Sequence, residues 1–385
     1  MKLAQSMARL GSETAFEVLA RAKALEAQGR DIIHLEIGEP DFDTPAHIVE
    51  AAVQALHQGH THYTPAAGVP ALRQAIAGYV SRSRQLEIRP EQVVVTPGAK
   101  PIMFFIILAL LEAGDEALYP NPGFPIYESM INFVGATPVA LPLRETRQFR
   151  FDPAEFRRLV TDRTRLIILN SPQNPTGGVL TRQDLEAVAE VAQERNLMVL
   201  TDEVYHQMLY EGEHISPLSL PGMQAHTILL DGFSKTYAMT GWRLGYGVMP
   251  VDLVEHVTKL MVNSNSCTAA FTQQAGLAAL EGPQQAVKVM TDAFRERRQV
   301  LIEGLNQIPG FRCQWPAGAF YAFPNVEGTG KPSKELANYL MESAGVAVLD
   351  GGAFGRYGQG FLRLSYANSV SNLQRALERI QAALT

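Results

Sequence analysis

Short aliphatic runs alternate along the chain with longer stretches whose apolar residues recur at helical spacing. The runs QVVVT, EALY, RLIILN, LMVLTD and TILLD predict strands at 92–96, 116–119, 165–170, 197–202 and 227–231. Between them, the spacing predicts helices at 99–112 and 181–195. Strands that alternate with helices predict an α/β fold, in which a parallel sheet carries helices on both faces. In such sheets, ligands gather at the carboxyl ends of the strands.

The pattern changes near Gly282, which predicts a second and smaller domain. A long polar helix is expected at 283–307, followed by shorter elements, a strand at 360–366 and a last helix at 371–384. A chain of 385 residues is also too long for one compact core. The expected division is an N-terminal segment that joins the small domain, a large domain and the small domain itself, at 1–45, 46–282 and 283–385.

Composition excludes several classes of protein. The net charge is −6 and no long run of Lys or Arg occurs, so we expect neither a nucleic-acid partner nor a membrane surface. The two cysteines, Cys267 and Cys313, stand apart from any CxxC or histidine cluster, which predicts no metal site and a reducing, cytoplasmic location. The start of the chain lacks the apolar core of a signal peptide, and the most apolar run, 102–111, is too short to span a bilayer.

Lys235 is the first candidate for chemistry, because it directly follows a predicted strand in the sequence GFSK. A lysine in such a place is usually a solvated loop residue. Here, however, the Ser234 hydroxyl and the Arg243 guanidinium could bind a phosphate beside it. An amine next to a bound phosphate is what a cofactor that forms a Schiff base requires, and pyridoxal phosphate is such a cofactor.

The remaining parts of a pyridoxal-phosphate site can also be found at strand ends. Asp202 could pair with the ring nitrogen, although a helix cap is its ordinary alternative role. Tyr205 and Asn174 could donate to the phenolic oxygen, although a core aromatic and a simple turn are the alternatives. The turn at Gly98, Ala99 and Lys100 would present a helix N-terminus to the phosphate. Phe124 in NPGFPIY could stack on the ring or simply pack in the core.

These motifs, in this order, resemble the class I and II aminotransferases, which are pyridoxal-phosphate enzymes of fold type I. The resemblance covers essentially the whole chain and is carried by GEPDFDTP, NSPQNPTGG, TDEVY, GFSKTYAMTGWRLG and FLRLSYANS, at 38–45, 170–178, 201–205, 232–245 and 361–369. It implies a large domain with a mainly parallel seven-stranded sheet between helices, and a smaller α+β domain. It also implies a homodimer with composite active sites and ping-pong transfer of an amino group from an L-amino acid to a 2-oxo acid.

The resemblance assigns further roles to individual residues. Lys235 would hold the cofactor and then act as the base and acid of the proton shift. Arg363 would bind the substrate α-carboxylate, and the backbone of Gly38 would lie against the same group. Tyr63 would reach across the dimer interface to the cofactor phosphate of the partner subunit.

The substrate is less determined by the sequence. Phe124 stands where many relatives carry Tyr or Trp, and it cannot donate a hydrogen bond. Lys100 could be a solvated residue at the helix start, or it could bind the side-chain carboxylate of an acidic substrate with help from Thr14. We hypothesise that glutamate and 2-oxoglutarate form one substrate couple.

Other functions remain open at this point. β-Elimination by a C–S lyase, or γ-elimination, would use the same lysine, aspartate and tyrosine. A non-catalytic sensor domain is a remote alternative, because such regulators carry a DNA-binding module ahead of this domain and GEPDFDTP begins at residue 38. A nicotinamide dehydrogenase is disfavoured, because no GxGxxG follows a predicted strand.

Overall fold

The computed structural model of the protein describes residues 1–384. Its α-helices are α1 Thr14–Glu26, α2 Ala46–His57, α3 Pro70–Arg84, α4 Lys100–Leu110, α5 Ile126–Val134, α6 Pro153–Leu159, α7 Arg182–Arg195, α8 Phe233–Thr236, α9 Val251–Ser264, α10 Ala270–Glu281, α11 Gln285–Leu305, α12 Ser333–Tyr339 and α13 Val370–Leu384. Its strands are β1 Ile33–His34, β2 Val93–Thr96, β3 Glu116–Asn121, β4 Thr137–Pro142, β5 Thr164–Asn170, β6 Met198–Asp202, β7 Thr227–Gly232, β8 Gly245–Val248, β9 Tyr321–Ala322, β10 Val346–Ala347, β11 Leu349–Asp350 and β12 Leu362–Ser365.

Seven strands form the central sheet in the order β2-β8-β7-β6-β5-β3-β4. The five strands β4, β3, β5, β6 and β7 run parallel to one another. β8 is antiparallel to both β7 and β2. The expected α/β fold with a mainly parallel seven-stranded sheet is therefore confirmed. The register aligns the strand ends, since Asn170 of β5 lies opposite Asp202 of β6.

Helices cover both faces of this sheet, which explains why its strands are almost continuously apolar. Leu200 of β6 packs into the same cluster as Ile102 of α4. Its neighbour in the chain, Val199, points to the opposite face and packs with Val188 of α7. Within residues 1–384, no helix combines the length and the apolar character needed to cross a membrane.

Two strands of the sheet were not predicted, and each has a local reason. β4 contains Pro138 and Pro142, which disfavour a strand, but it lies at the sheet edge, where a missing N–H donor is tolerated. β8 has the sequence GYGV, and glycine has a low preference for strands. A Cβ atom at Gly245 would lie 2.3 Å from the backbone nitrogen of Ala99, so this strand needs glycine for the close approach of the turn before α4.

The C-terminal part of the chain has its own sheet, β11-β12-β9, which is antiparallel. It shares a core with α11 and α13, in which Phe294 and Leu373 pack. The N-terminal β1 pairs with β10, so residues 33–34 contact this part. The domain division at residues 45 and 282 stays a prediction. The last residue of the expected small domain, Thr385, lies outside the described residues.

Candidate active site

A cavity of about 570 Å³ lies at the carboxyl ends of β5, β6 and β7. Asn170, Asp202 and Gly232, which stand at or near the last position of these strands, all line it. The predicted site residues that line the same cavity are Gly38, Ala99, Lys100, Phe124, Asn174, Asp202, Tyr205, Ser234, Lys235, Arg243 and Arg363. The structure therefore brings together residues from the central sheet, from the β11-β12-β9 sheet and from the first 45 positions of the chain.

Lys235 lies in α8, the short helix that follows β7, and its side chain enters the cavity. The Nζ atom donates a hydrogen bond of 2.6 Å to the carbonyl oxygen of Gly38. Burial lowers the pKa of this amine from 10.5 to about 8; the nearby Glu39 opposes the shift, while Arg363 and Arg243 add to it. The lowered pKa increases the fraction of unprotonated amine near neutral pH, and this is the nucleophilic and basic form.

This lowered pKa gives the first testable prediction. In the cofactor-free protein, carbamylation of Lys235 by cyanate should follow a titration with a midpoint of about 8, because only the neutral amine reacts. Peptide mass spectrometry after labelling between pH 6 and pH 11 (about the range needed for this titration) measures the midpoint, with the exposed Lys259 as a reagent control in the same digest. A midpoint for Lys235 near 10.5 contradicts the burial argument.

Asp202 is the buried acid at the end of β6. Burial raises the pKa of this carboxyl to about 6, although hydrogen bonds from the Tyr127 hydroxyl and the Val204 amide act in the opposite direction. The Tyr127 hydroxyl donates to Oδ2 at 2.6 Å and the Val204 amide donates to Oδ1 at 3.3 Å. Asp202 forms no ion pair with any cation of residues 1–384. A buried carboxylate that lacks a cation is suited to a protonated ring nitrogen.

Tyr127 was missed by the sequence analysis. It lies in the first turn of α5, in the same NPGFPIY segment from which only Phe124 was selected. The two rings contact each other edge to face with centroids 5.6 Å apart. Burial, with the Asp202 charge, raises the pKa of Tyr127 well above its ordinary value, so the phenol remains a donor to Asp202.

A group of hydrogen-bond donors lies where β2 turns into α4. Gly98 has φ +88°, and a Cβ atom there would lie 2.2 Å from Nη2 of Arg243, so the turn requires glycine. Arg243 itself has φ +53°, a left-handed conformation that is strained for a non-glycine residue. With Ser234 and the N-terminus of α4, this group offers a guanidinium, a hydroxyl and helix-end amides, which are the donors that a phosphate prefers.

Arg363 lies on β12 and is only 4% exposed. Its Nη1 donates to Oδ1 of Asn174 at 3.2 Å, and its Nη2 donates to the carbonyl oxygen of Glu36. Its guanidinium carbon lies 4.7 Å from the centroid of the Tyr321 ring. The buried Nε has no hydrogen-bond partner among the described residues. A buried guanidinium with a free donor is suited to a carboxylate ligand.

Tyr205 and Tyr321 meet across the cavity, with their hydroxyl oxygens 2.7 Å apart. Tyr321, which comes from β9, was not selected from the sequence. Burial raises the pKa of both phenols, so both remain neutral at physiological pH. A Cβ atom at Gly38 would lie 2.1 Å from the Tyr321 hydroxyl, which explains why position 38 needs glycine.

Lys100 is not a free cation in this structure. It forms an ion pair with Glu13, a residue that the sequence analysis did not select. Its ammonium also lies 5.2 Å from the centroid of the Phe124 ring. Glu13 and Thr14 both line the cavity, so the beginning of the chain reaches the candidate site.

Tyr63 lies away from these residues. Its side chain is 89% exposed, and it does not line the cavity. Its expected role toward a partner subunit stays a prediction.

Comparison with known proteins gives consistent results. The sequence model of the family described as aminotransferase class I and II matches residues 30–380. The aspartate aminotransferase of Pyrococcus horikoshii is 41% identical over 96% of this chain and 93% of its own length. The aromatic-amino-acid aminotransferase 2 of Thermococcus litoralis is 40% identical over 93% of each chain. The solved structure of the Thermus thermophilus aspartate aminotransferase with maleate, at 38% identity, superposes with a TM-score of 0.96 over 100% of both chains.

Proposed function

Because the chain belongs to the class I and II aminotransferases, it is a pyridoxal-phosphate-dependent aminotransferase, and we propose that its cofactor binds in the cavity around Lys235. The observation that carries this proposal is the meeting of Lys235, Asp202 and Arg363 in one cavity. The relatives named above are aminotransferases, which favours transamination over the β-elimination that the sequence left open.

The donors around the cavity fit the cofactor at each of its polar groups. The corner at Gly98, Ala99, Ser234 and Arg243 would hold the phosphate. Asp202 would pair with the ring nitrogen, and that cation would lower the raised pKa of the carboxyl. Tyr205 and Asn174 would donate to the phenolic oxygen, and Phe124 would pack on the ring. When bound, pyridoxal phosphate supplies a carbonyl that takes up the amino group and a protonated ring that withdraws electrons from the substrate Cα.

The residues of this chain bind the substrate and move its proton. Arg363 holds the α-carboxylate, which fixes the orientation of the Cα–H bond. Lys235 accepts the proton from Cα. Because its pKa is lowered toward neutral pH, the same group can also return the proton. Asp202 keeps the proton on the ring nitrogen. We infer ping-pong kinetics, in which the first 2-oxo acid leaves before the second one binds.

Arg363→Ala is expected to raise KM for every amino donor by roughly 30-fold or more, because it removes a buried charged partner of a carboxylate common to all of them. Steady-state kinetics with glutamate, alanine and phenylalanine measure this. The exposed Arg312, which pairs with Glu145 away from the cavity, gives a matched control in Arg312→Ala. A KM increase for one donor alone is the result that contradicts a role at the α-carboxylate.

The substrate couple is the finer part of the proposal. We propose that glutamate and 2-oxoglutarate form one couple and that Lys100 binds the side-chain carboxylate, since its ammonium lies at the cavity wall. A panel of amino donors against pyruvate, oxaloacetate and 2-oxoglutarate tests the function directly. Product formation only with an added 2-oxo acid supports transamination. Pyruvate and ammonia from cystathionine without such an acid would instead support the lyase.

We propose that the working form is a homodimer. Val49, Val53 and Leu56 lie at helical spacing in α2, with exposed fractions of 38%, 46% and 45%. Exposed apolar residues at such spacing often mark a protein interface. A second copy that covers this face would also give the exposed Tyr63 a partner, as the resemblance implies.

A further inference from the structure

The proposed function gives a role to almost every charged residue that lines the cavity. Arg363 would bind the α-carboxylate, Arg243 the phosphate, and Asp202 the ring nitrogen. Lys235 would hold the cofactor, and Glu39, which accepts a hydrogen bond from the Thr240 hydroxyl, is a charge that opposes the lowering of the Lys235 pKa by burial. The charges that remain are those of Lys100 and Glu13, which neutralise each other.

Glu13 belongs to a segment that is anchored independently of Lys100. We call residues 9–13 the N-terminal strap. Arg9 donates from Nε to the carbonyl oxygen of Asn132 at 2.8 Å and from Nη2 to that of Phe133 at 2.9 Å. The Gly11 amide donates to Oγ of Ser129 at 2.8 Å. These contacts to α5 hold the strap beside the cavity, so Glu13 is positioned even if its ion pair opens.

Glu13 is also the more enclosed member of the pair, since its side chain is 17% exposed and that of Lys100 is 47% exposed. The charge of Glu13 also acts on Lys235 and Arg363. Burial lowers the pKa of both Lys235 and Arg363, and Glu13 is among the charges that oppose this lowering. The surrounding wall is apolar where Ala15, Phe16 and Phe124 line the cavity. With the ion pair closed, the side-chain pocket is therefore neutral overall and suits an uncharged side chain.

We propose that Glu13 is an exchangeable counter-ion that sets the side-chain specificity of this enzyme. An uncharged or aromatic substrate side chain leaves the Glu13–Lys100 pair closed. The second carboxylate of a dicarboxylic substrate must displace Glu13 from Lys100, and Glu13 then repels it. Glu13 thus weakens the binding of dicarboxylates relative to monocarboxylates. This inference rests on the proposed role of Lys100 as the ligand of the second carboxylate.

The test compares two unreactive ligands of equal chain length, glutarate and valerate, by calorimetric titration of the pyridoxal-phosphate-loaded protein at constant ionic strength. The measured quantity is the ratio of the valerate to the glutarate dissociation constant. Glu13→Gln should raise this ratio about fivefold, because a partly exposed ion pair no longer competes with the ligand. Lys100→Gln should lower it by a similar factor. High salt should reduce both effects.

Comparison of the variants shows whether the counter-ion role of Glu13 or the Lys100 subsite itself fails. Arg9→Ala loosens the strap but keeps the Glu13 charge, so it should leave the ratio much closer to that of the wild type. If Arg9→Ala raises the ratio as much as Glu13→Gln does, strap movement explains the effect and the counter-ion proposal is wrong. If Lys100→Gln lowers the ratio but Glu13→Gln leaves it unchanged, the proposal fails while the Lys100 subsite stands. If Lys100→Gln has no effect either, the proposed subsite fails as well.

Discussion

Lys235→Ala should lower the transamination rate at least about a thousandfold, which is the largest effect we expect from any single substitution. The variant loses both the amine that holds the cofactor and the only group assigned to move the Cα proton. The cofactor should still bind, because Ser234, Arg243 and the turn at Gly98 remain. Single-turnover rates with glutamate, together with the cofactor content after gel filtration, measure the two effects separately.

Two further variants serve as controls for Lys235→Ala. Lys235→Arg keeps a cation in the cavity, but its guanidinium stays protonated and cannot act as a base. It should therefore be as inactive as Lys235→Ala. Lys259→Ala, on the exposed face of α9, should behave as the wild type. A Lys235→Ala variant that retains more than about a tenth of the wild-type rate would mean that another group performs the proton transfer.

Asp202→Asn should lower the turnover rate by roughly two to three powers of ten, while it makes the cofactor-free protein more stable at alkaline pH. The rate falls because a neutral amide cannot keep the ring nitrogen protonated, so the ring withdraws electrons less strongly. The amide oxygen of Asn can still accept the hydrogen bond from Tyr127, whereas the longer one from the Val204 amide is lost.

The stability part follows from the raised pKa of Asp202. Burial raises this pKa from 3.8 in the unfolded chain to about 6 in the folded protein. A raised pKa stabilises the fold below about pH 4, and this contribution is lost as the pH rises through about 6. At pH 8, ionised Asp202 then costs on the order of 3 kcal/mol at most. Asn carries no such cost.

Urea unfolding of the cofactor-free proteins at about pH 4 and about pH 8 tests this linkage. The free energy of unfolding of Asp202→Asn should exceed that of the wild type at the higher pH, and the difference should shrink at the lower pH. Such a gain in stability with a loss of activity is typical of a residue kept for function. A variant that is less stable than the wild type at pH 8 contradicts the assignment of Asp202 as a buried carboxylate without a cationic partner.

The ends of the strands could be predicted from the sequence because the residues that mark them are neighbours in the chain. Lys235 and Asp202 each follow a continuous apolar run, and parallel strands bring such ends to one edge of the sheet. The same reasoning failed for β4 and β8, where proline at a sheet edge and glycine at a close contact outweigh the usual strand preferences.

The missed site residues share one property, which is that their partners are distant in the chain. Tyr127 contacts a residue 75 positions away, Tyr205 meets Tyr321 over 116 positions, and Glu13 pairs with Lys100 over 87 positions. Nothing in the local pattern distinguishes these side chains from ordinary core or surface residues. Only the tertiary fold, which places α5, β9 and the N-terminal strap beside the cavity, brings them together.

The proposed function depends on the Lys235 amine as the group that binds the cofactor covalently. Borohydride treatment of the protein with pyridoxal phosphate, followed by digestion and peptide mass spectrometry, tests it most directly. We predict that one pyridoxyl-phosphate adduct forms per chain and that it maps to Lys235. An adduct confined to other lysines, or none at all, would contradict the account.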